Sequence, residues 1–405
     1  MGDPIRLETN KDWVNKQTRP ACKYAPVGVL KSQGTAAIES MQEALRKRIK
    51  TCQALGLVRG NQVDECGWFS FMRVGPSHEP HLRPSSVPVI VISGGSANKI
   101  AADLKKDYSL AWHPMNVRSE PIYLLVHRLD FNTYAASLAD VMGRFRNMHL
   151  IGWDGGAMTG FGAARAAALA FADTLPYRPN RILMMDQDVV KTEGTRFDKP
   201  GMQAKVTSAH EITKKPIIGY GVGYPTREPV PKFLEETAKP KQEDFNSPAQ
   251  QFVSIRAPFR KQRDDGIYPP YMVAGGEDML MGLQQKLDDG NRNVALLGEK
   301  ILKKELKGEV DKPNAYWSKA RVETLAQLFE AEKDTQVEFD GKLTTLDGLM
   351  GQFVANKWLD SHPSADSYNV SACVIERIIL RLHKEGKFPP EEKGTVFNRW
   401  QNPSK

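Results

Sequence analysis

No apolar stretch in the 405-residue chain approaches the roughly 20 residues needed to span a bilayer. The longest, VPVIVIS from Val87, is the size of a strand. The opening MGDPIRLETNKDW has no apolar core of the signal-peptide kind, and Arg6 stands where a myristoylation signal needs Ser or Thr. A soluble, cytoplasmic protein is expected. Cysteine is scarce: Cys22, Cys52, Cys66 and Cys373 are irregularly spaced and form no Cys-x-x-Cys pair. This argues against a zinc site and a disulfide framework, and free thiols are expected. Charge of one sign is not abundant either. Net charge is +8, no run of five or more basic residues occurs, and no helix-turn-helix or RNA-binding aromatic motif is present, so no nucleic-acid partner is expected. Gly-x-Ser-x-Gly and His-Glu-x-x-His are both missing, which weakens hydrolase and zinc-protease readings.

Two glycine-rich stretches fall short of the phosphate motifs they approach. ISGGSANK, from Ile92, follows a strand pattern but lacks the Gly-Lys-Ser/Thr ending of a Walker A loop, and it reads as a tight turn. GYGVGY, from Gly219, is followed by Pro225 rather than a helix, so it is no dinucleotide fingerprint.

The chain falls into three textures. Residues 1–85 form an extension, irregular for its first thirty residues. It then carries one helical pattern, with Ile38, Met41, Leu45, Ile49 and Cys52 on a single face and Thr35 as N-cap. Residues 86–310 alternate short apolar runs with helical stretches. VPVIVIS, PIYLLVH, MHLIGWD, RILMMDQ and, later, KPIIGYGVGY read as strands; TYAASLADVMGRFRN and TGFGAARAAALAFADTL read as helices. That alternation implies an α/β unit with a mostly parallel sheet flanked by helices. The text between Pro225 and Pro270, rich in Pro, Lys and acids, reads as a long excursion. Residues 311–405 read as a helical C-terminal unit with three amphipathic segments, beginning near Tyr316, Leu343 and Ser367.

Chemistry concentrates where RILMMDQDVV ends in Asp186-Gln187-Asp188. If extension persists through Gln187, residues i and i+2 share a face and the two carboxylates converge. Their repulsion is then relieved by a shared cation or by nearby donors, and hard divalent ions favour such oxygen ligands. Acid-x-acid pairs recur at Glu309/Asp311, Glu330/Glu332 and Glu338/Asp340, but strict Asp-x-Asp occurs once, after the apolar run. Two further features accompany it. GGEDMLMGLQQKL sets Gly275-Gly276-Glu277-Asp278 before a helical stretch, where the acids either cap the helix or serve as a general base. GFGAARAAALAFA puts Arg165 in the first turns of a helix 21 residues before Asp186, placed for an ion pair or for a diphosphate.

The ordered set LIGWDGG, GFGAARAAALAFA, RILMMDQDVV and GGEDMLMGLQQKL resembles the GT-A glycosyltransferases, which use nucleotide sugars. The resemblance covers roughly residues 120–300, and it departs from the commonest form at Ala166, where many members have Asn. It implies a GT-A-like sheet and a metal-dependent enzyme that moves a sugar from a nucleotide donor, UDP-linked by preference, using Mn²⁺ or Mg²⁺. It implies that Asp188 ligates the metal, that Asp186 contacts ribose or metal, and that Arg165 neutralises the diphosphate. Asp154 would lie near the base, and His127-Arg128 where the first strand meets the nucleotide. Glu277 and Asp278 would face the acceptor, with Asp278 as general base. A third metal ligand in that family is often a later His; His362 and His383 are available, and neither is placed in the site. The acceptor is open, a peptide, protein or natural product being favoured, and the C-terminal unit offers a surface for oligomers. Two alternatives remain: a nucleotidyltransferase on a related sheet, and a non-catalytic nucleotide-binding scaffold.

Overall fold

A computed structural model of the chain describes residues 4–7, 64–66, 69–74, 81–117, 119–155, 159–191, 201–222, 249–259, 294–301, 334–339, 341–346 and 348–349, with 268, 277 and 281 singly. In chain order its elements are β1 (Ile5–Leu7), β2 (Asp64–Cys66), β3 (Phe69–Val74), β4 (Val89–Ser93), α1 (Ala97–Lys106), β5 (Ile122–His127), α2 (Arg128–Arg144), β6 (Met148–Asp154), α3 (Phe161–Thr174), β7 (Arg181–Asp186), α4 (Gly201–Thr213), β8 (Ile217–Val222), β9 (Ala249–Arg256), β10 (Val294–Ile301), β11 (Gln336–Phe339) and β12 (Lys342–Thr345). Two compact units share the chain. One holds Met1–Leu55, Tyr271–Gly276 and Glu309–Lys405, the other Gly56–Pro270 and Glu277–Gly308. No helix among the described residues is long and apolar enough to cross a membrane.

The larger unit is built on a nine-stranded sheet in the order β10-β8-β9-β7-β4-β5-β6-β3-β2. Only β9 and β3 run against the common direction. At its centre β7, β4, β5 and β6 are parallel neighbours. Their sequences are nearly continuous apolar runs because both faces are covered, as parallel sheets require. Val89, Val91, Leu124, Val126, Leu150 and Met185 pack with Ile100 and Leu104 of α1 and with Phe131, Tyr134 and Leu138 of α2. The alternate residues face α3: Tyr123 meets the Phe171 ring edge-on at 5.0 Å, and Phe71 of β3 meets it at 5.4 Å. Helix α3 is buried along most of its length, Ala163, Ala166, Ala167, Ala168, Ala170 and Ala172 included. Small side chains let its axis lie close to the sheet.

Several expected elements stand where the sequence places them: β4 in VPVIVIS, β5 in PIYLLVH, β6 in MHLIGWD, β7 in RILMMDQ and β8 in KPIIGYGVGY, with α2 and α3 between them. Four differences are informative. First, the span from Pro225 to Pro270 is not one continuous excursion, because β9 lies within it and pairs antiparallel with both β7 and β8. Second, β2 and β3, in text grouped with the extension, close the other end of the sheet. Gly152 of β6 permits that packing, since a Cβ there would meet Met72 Cγ at 2.5 Å and Phe131 Cδ2 at 2.6 Å. Third, the smaller unit has a three-stranded sheet in which β1, from the nominally irregular start, pairs parallel with β11, and β12 pairs antiparallel with β11. Fourth, the helix expected from Leu343 begins instead as β12, whose Thr344 and Thr345 are β-branched residues suited to a strand. The helical patterns at residues 35–52, 316–333 and 367–386 lie outside the described residues.

Candidate functional site

The parallel strands run β4, β5, β6 to one side of the centre and then return to β7 on the other side of β4. Such a reversal opens a crevice at the carboxyl ends of the two strands on either side of it, where open α/β sheets bind ligands. Here those strands are β4 and β7, in register through Ile92 and Asp186. The candidate residues fall along this edge: Ser93 at the end of β4, His127 at the end of β5, Asp154 at the end of β6 and Asp186 at the end of β7.

Asp186 and Asp188 do not share a strand face. Extension stops at Asp186, and Gln187 and Asp188 form a turn in which Val189 N–H donates to the Asp186 carbonyl at 3.4 Å. The strand pairs beyond this point no longer constrain the chain, so the two carboxylates sit on one turn rather than on one pleat. Indole Nε1 of Trp112 donates to the Gln187 carbonyl at 2.9 Å, and Ala111 N–H donates to the Val189 carbonyl at 2.9 Å, which pin the turn from outside the sheet.

From the α3 face, Arg165 reaches the same turn. Its Nη2 donates to Asp186 Oδ1 at 3.0 Å and its Nε to Glu277 Oε1 at 2.9 Å. The Arg165 and Glu277 side chains are only 4% and 6% exposed, so this is a buried cation between two carboxylates and not a surface ion pair. Burial works to lower the Arg165 pKa, but Asp186 and Glu277, with Tyr268 adding to them, outweigh it and hold the guanidinium charged. Arg165 therefore meets protein carboxylates from within the core, where the sequence offered an ion pair or a diphosphate. Asp278 lies outside the described residues, as do His362 and His383.

Towards β6, Arg128 Nη1 donates to Asp154 Oδ2 at 2.7 Å. His127 is the N-cap of α2, its Nδ1 accepting from Leu129 N–H at 3.1 Å, and its ring stands edge-on to Trp153 at 4.6 Å. The first strand of the parallel set is β4, not β5. His127 and Arg128 thus sit at the end of the second of these strands, and the loop Ser93–Ser96 follows the first.

That loop is the ISGGSANK stretch read from the sequence as a tight turn, and its two serines enter a hydrogen-bond set that the sequence did not suggest. Ser93 O–H donates to Gln187 Oε1, and Gln187 Nε2 donates to Ser96 Oγ at 3.1 Å. Buried Tyr134 of α2 completes the set: its hydroxyl lies 2.6 Å from Ser93 Oγ and accepts from Ser96 N–H at 3.0 Å. With the Ser93 proton committed to Gln187, Tyr134 O–H is the donor to Ser93. Gly94 and Gly95 are exposed at the tip, and Gly95 adopts φ +63°, a conformation glycine accepts without strain.

Among the described residues no group of three His, Cys, Asp or Glu side chains forms a metal cluster. The donors at the turn are oxygens alone, from Asp186 and Asp188. This fits a hard divalent ion that keeps water and takes phosphate oxygens from a ligand, and it does not fit zinc.

No protein-family model matches the sequence, and no curated protein matches it. Among solved structures, the chain is similar to residues 1–349 of TarS from S. aureus, with TM-score 0.37 and 12% identity over 75% of this chain and 93% of that one. TarS 1–349 has also been solved in complex with UDP-GlcNAc. A mannosyltransferase from Pyrobaculum calidifontis, in complex with GDP-Man and Mn²⁺, gives TM-score 0.38 and 12% identity over 90% of this chain and 94% of that one. Likeness at this level is too distant to assign a function, which rests instead on the residues of this chain.

Proposed function

We propose that the chain is a metal-dependent glycosyltransferase that moves a sugar from a nucleotide sugar, UDP-linked by preference, to an acceptor of the peptide, protein or natural-product class. The observation that carries this reading is the Arg165 bridge. It joins Asp186, 21 residues on, to Glu277, 112 residues on, at the carboxyl edge of a parallel sheet. Three of the four motifs behind the GT-A resemblance, far apart in sequence, meet in this contact.

In this reading Asp188, with Asp186, holds Mn²⁺ or Mg²⁺, and the metal supplies charge stabilisation to the leaving diphosphate. Arg165 fixes the Asp186 carboxylate and neutralises part of the acidic cluster. Glu277, engaged by Arg165, anchors the acidic motif. Its neighbour Asp278 is the residue proposed to take the proton from the acceptor hydroxyl. Arg128 and Asp154, held to each other at the β5–β6 end, line the donor side with His127.

A donor labelled separately in nucleoside and sugar, incubated with Mn²⁺ and a mixed acceptor pool, tests the reaction. Sugar label is expected in product and nucleoside label in free diphosphate, with Asp188→Asn lowering transfer at least ~100-fold. That loss is the scale typical of removing a main electrostatic contributor. Nucleoside label in the product would point to nucleotidyl transfer, and unchanged turnover in Asp188→Asn would sink the metal role.

A further inference from the structure

We infer that Gln187, the middle residue of Asp186-Gln187-Asp188, is a positioning residue for the nucleotide donor, acting as a strap across the crevice between β4 and β7. The inference rests on the donor reading above and names a residue that reading does not use.

The hydrogen bonds form a closed circuit. Ser96 N–H donates to Tyr134, Tyr134 to Ser93, Ser93 to Gln187 Oε1, and Gln187 Nε2 back to Ser96 Oγ. The Tyr134 and Ser93 hydroxyls each give one bond and receive another, Ser96 gives through its backbone N–H and receives at Oγ, and both ends of the amide are used. In this orientation the amide oxygen meets the Ser93 proton and the amide nitrogen meets Ser96 Oγ. An alanine at position 187 leaves Ser93 O–H and Ser96 Oγ without that amide.

The circuit spans elements that the backbone does not join. Ser93 ends β4, Tyr134 lies on α2, and Gln187 follows β7. Strand pairing between β4 and β7 ends at Ile92 and Asp186, so beyond it the side chain of Gln187 bonds the turn to the loop. The turn is therefore held from both faces of the sheet, Asp186 by Arg165 on the α3 face and Gln187 by the Tyr134 circuit on the α1–α2 face. A half-buried amide engaged in this way has no proton to move. Its effect is on where Asp188 and the exposed Gly94-Gly95 backbone stand when the donor arrives.

This role predicts a split between binding and chemistry. Losing two neutral hydrogen bonds that preorganise the donor site weakens ground and transition states alike. The dissociation constant and KM for donor then rise about tenfold to thirtyfold while kcat stays within about threefold. A purely structural contribution gives another pattern, in which the melting point and the active fraction fall and the surviving molecules bind donor normally.

The experiment measures wild type, Gln187→Ala, Ser93→Ala and the double variant. It reads melting point, calorimetric affinity for whichever of UDP, GDP, CDP or dTDP binds wild type with Mn²⁺, and the kcat–KM pair for transfer. The expected result is weaker diphosphate binding in both single variants, with the double variant no worse than Gln187→Ala because both cut one circuit. Additive effects, or unchanged affinity in folded variants, overturn the inference while leaving the donor reading intact. If wild type binds none of the four diphosphates, the donor reading has failed and the positioning role falls with it.

Discussion

Arg165 is the residue on which the site's construction depends. A guanidinium taken out of water is held by Asp186 at 3.0 Å and Glu277 at 2.9 Å, and its planar fork lets one side chain serve two carboxylates on different parts of the chain. Removing one member of a buried charge cluster leaves the rest uncompensated, at about 3 to 5 kcal/mol. Arg165→Met is therefore expected to lower urea-unfolding stability by that amount. Arg165→Met combined with Glu277→Gln should regain part of it, because the more deeply buried of the two acids that lose the guanidinium is neutralised. If Arg165→Met costs less than about 1 kcal/mol, the bridge is not the buried anchor described here. The members of this cluster were legible one by one, as Asp-x-Asp, Gly-Glu-Asp and a lone Arg in an Ala-rich helix. Of the two roles the sequence left open for Arg165, the ion pair is what forms, and that it also reaches Glu277, 112 residues on, was not legible, because it depends on how α3 seats against the sheet.

At the scale of elements, helix α4 is fastened to the sheet by His210. Its ring is 1% exposed, Nδ1 lies 2.8 Å from the Lys215 carbonyl and Nε2 lies 2.9 Å from Ser254 Oγ on β9. A carbonyl only accepts, so Nδ1 carries the proton and Nε2 accepts from the serine. Burial above all, helped by Arg181 and Arg256 and opposed by the Lys215 hydrogen bond, pushes the His210 pKa down to about 4. The folded state thus keeps His210 neutral, while the unfolded chain takes a proton below about 6.5. At pH 7.5 the residue costs nothing. As pH falls towards 4.5 the unfolded state gains, and stability drops by about 2 to 3 kcal/mol on this account. His210→Gln keeps a donor and an acceptor without the titration, so wild type should lose that much more than the variant between pH 7.5 and 4.5. Parallel pH profiles for the two would contradict the assignment. The same pairing of α4 with β9 explains a miss in the sequence. The core residues Phe252, Val253 and Ile255 of β9 lie in text rich in Pro, Lys and acids, and their partners are β7 and β8, far along the chain. Strands β4 to β7 were readable because each is a continuous apolar run between two helical layers. The Gln187 circuit was not, since it joins residues 38 to 94 positions apart and leaves no local pattern beyond a turn.

For the whole molecule, the account holds that one edge of a nine-stranded sheet is assembled to receive a nucleotide and a divalent ion. The reversal between β4 and β7 provides the crevice, and Arg165 and Gln187 fix from opposite faces the acidic turn that carries Asp188. A ligand that binds only the folded form raises stability by RT ln(1 + [L]/Kd), about 2.7 kcal/mol at a hundredfold excess over Kd. The most direct measurement is a thermal-shift panel of UDP, GDP, CDP and dTDP, each with and without Mn²⁺, on wild type and Asp188→Asn. The account predicts that one diphosphate raises the melting point of wild type only when Mn²⁺ is present, and that Asp188→Asn abolishes the shift. No shift with any diphosphate, or an equal shift in Asp188→Asn, would contradict it.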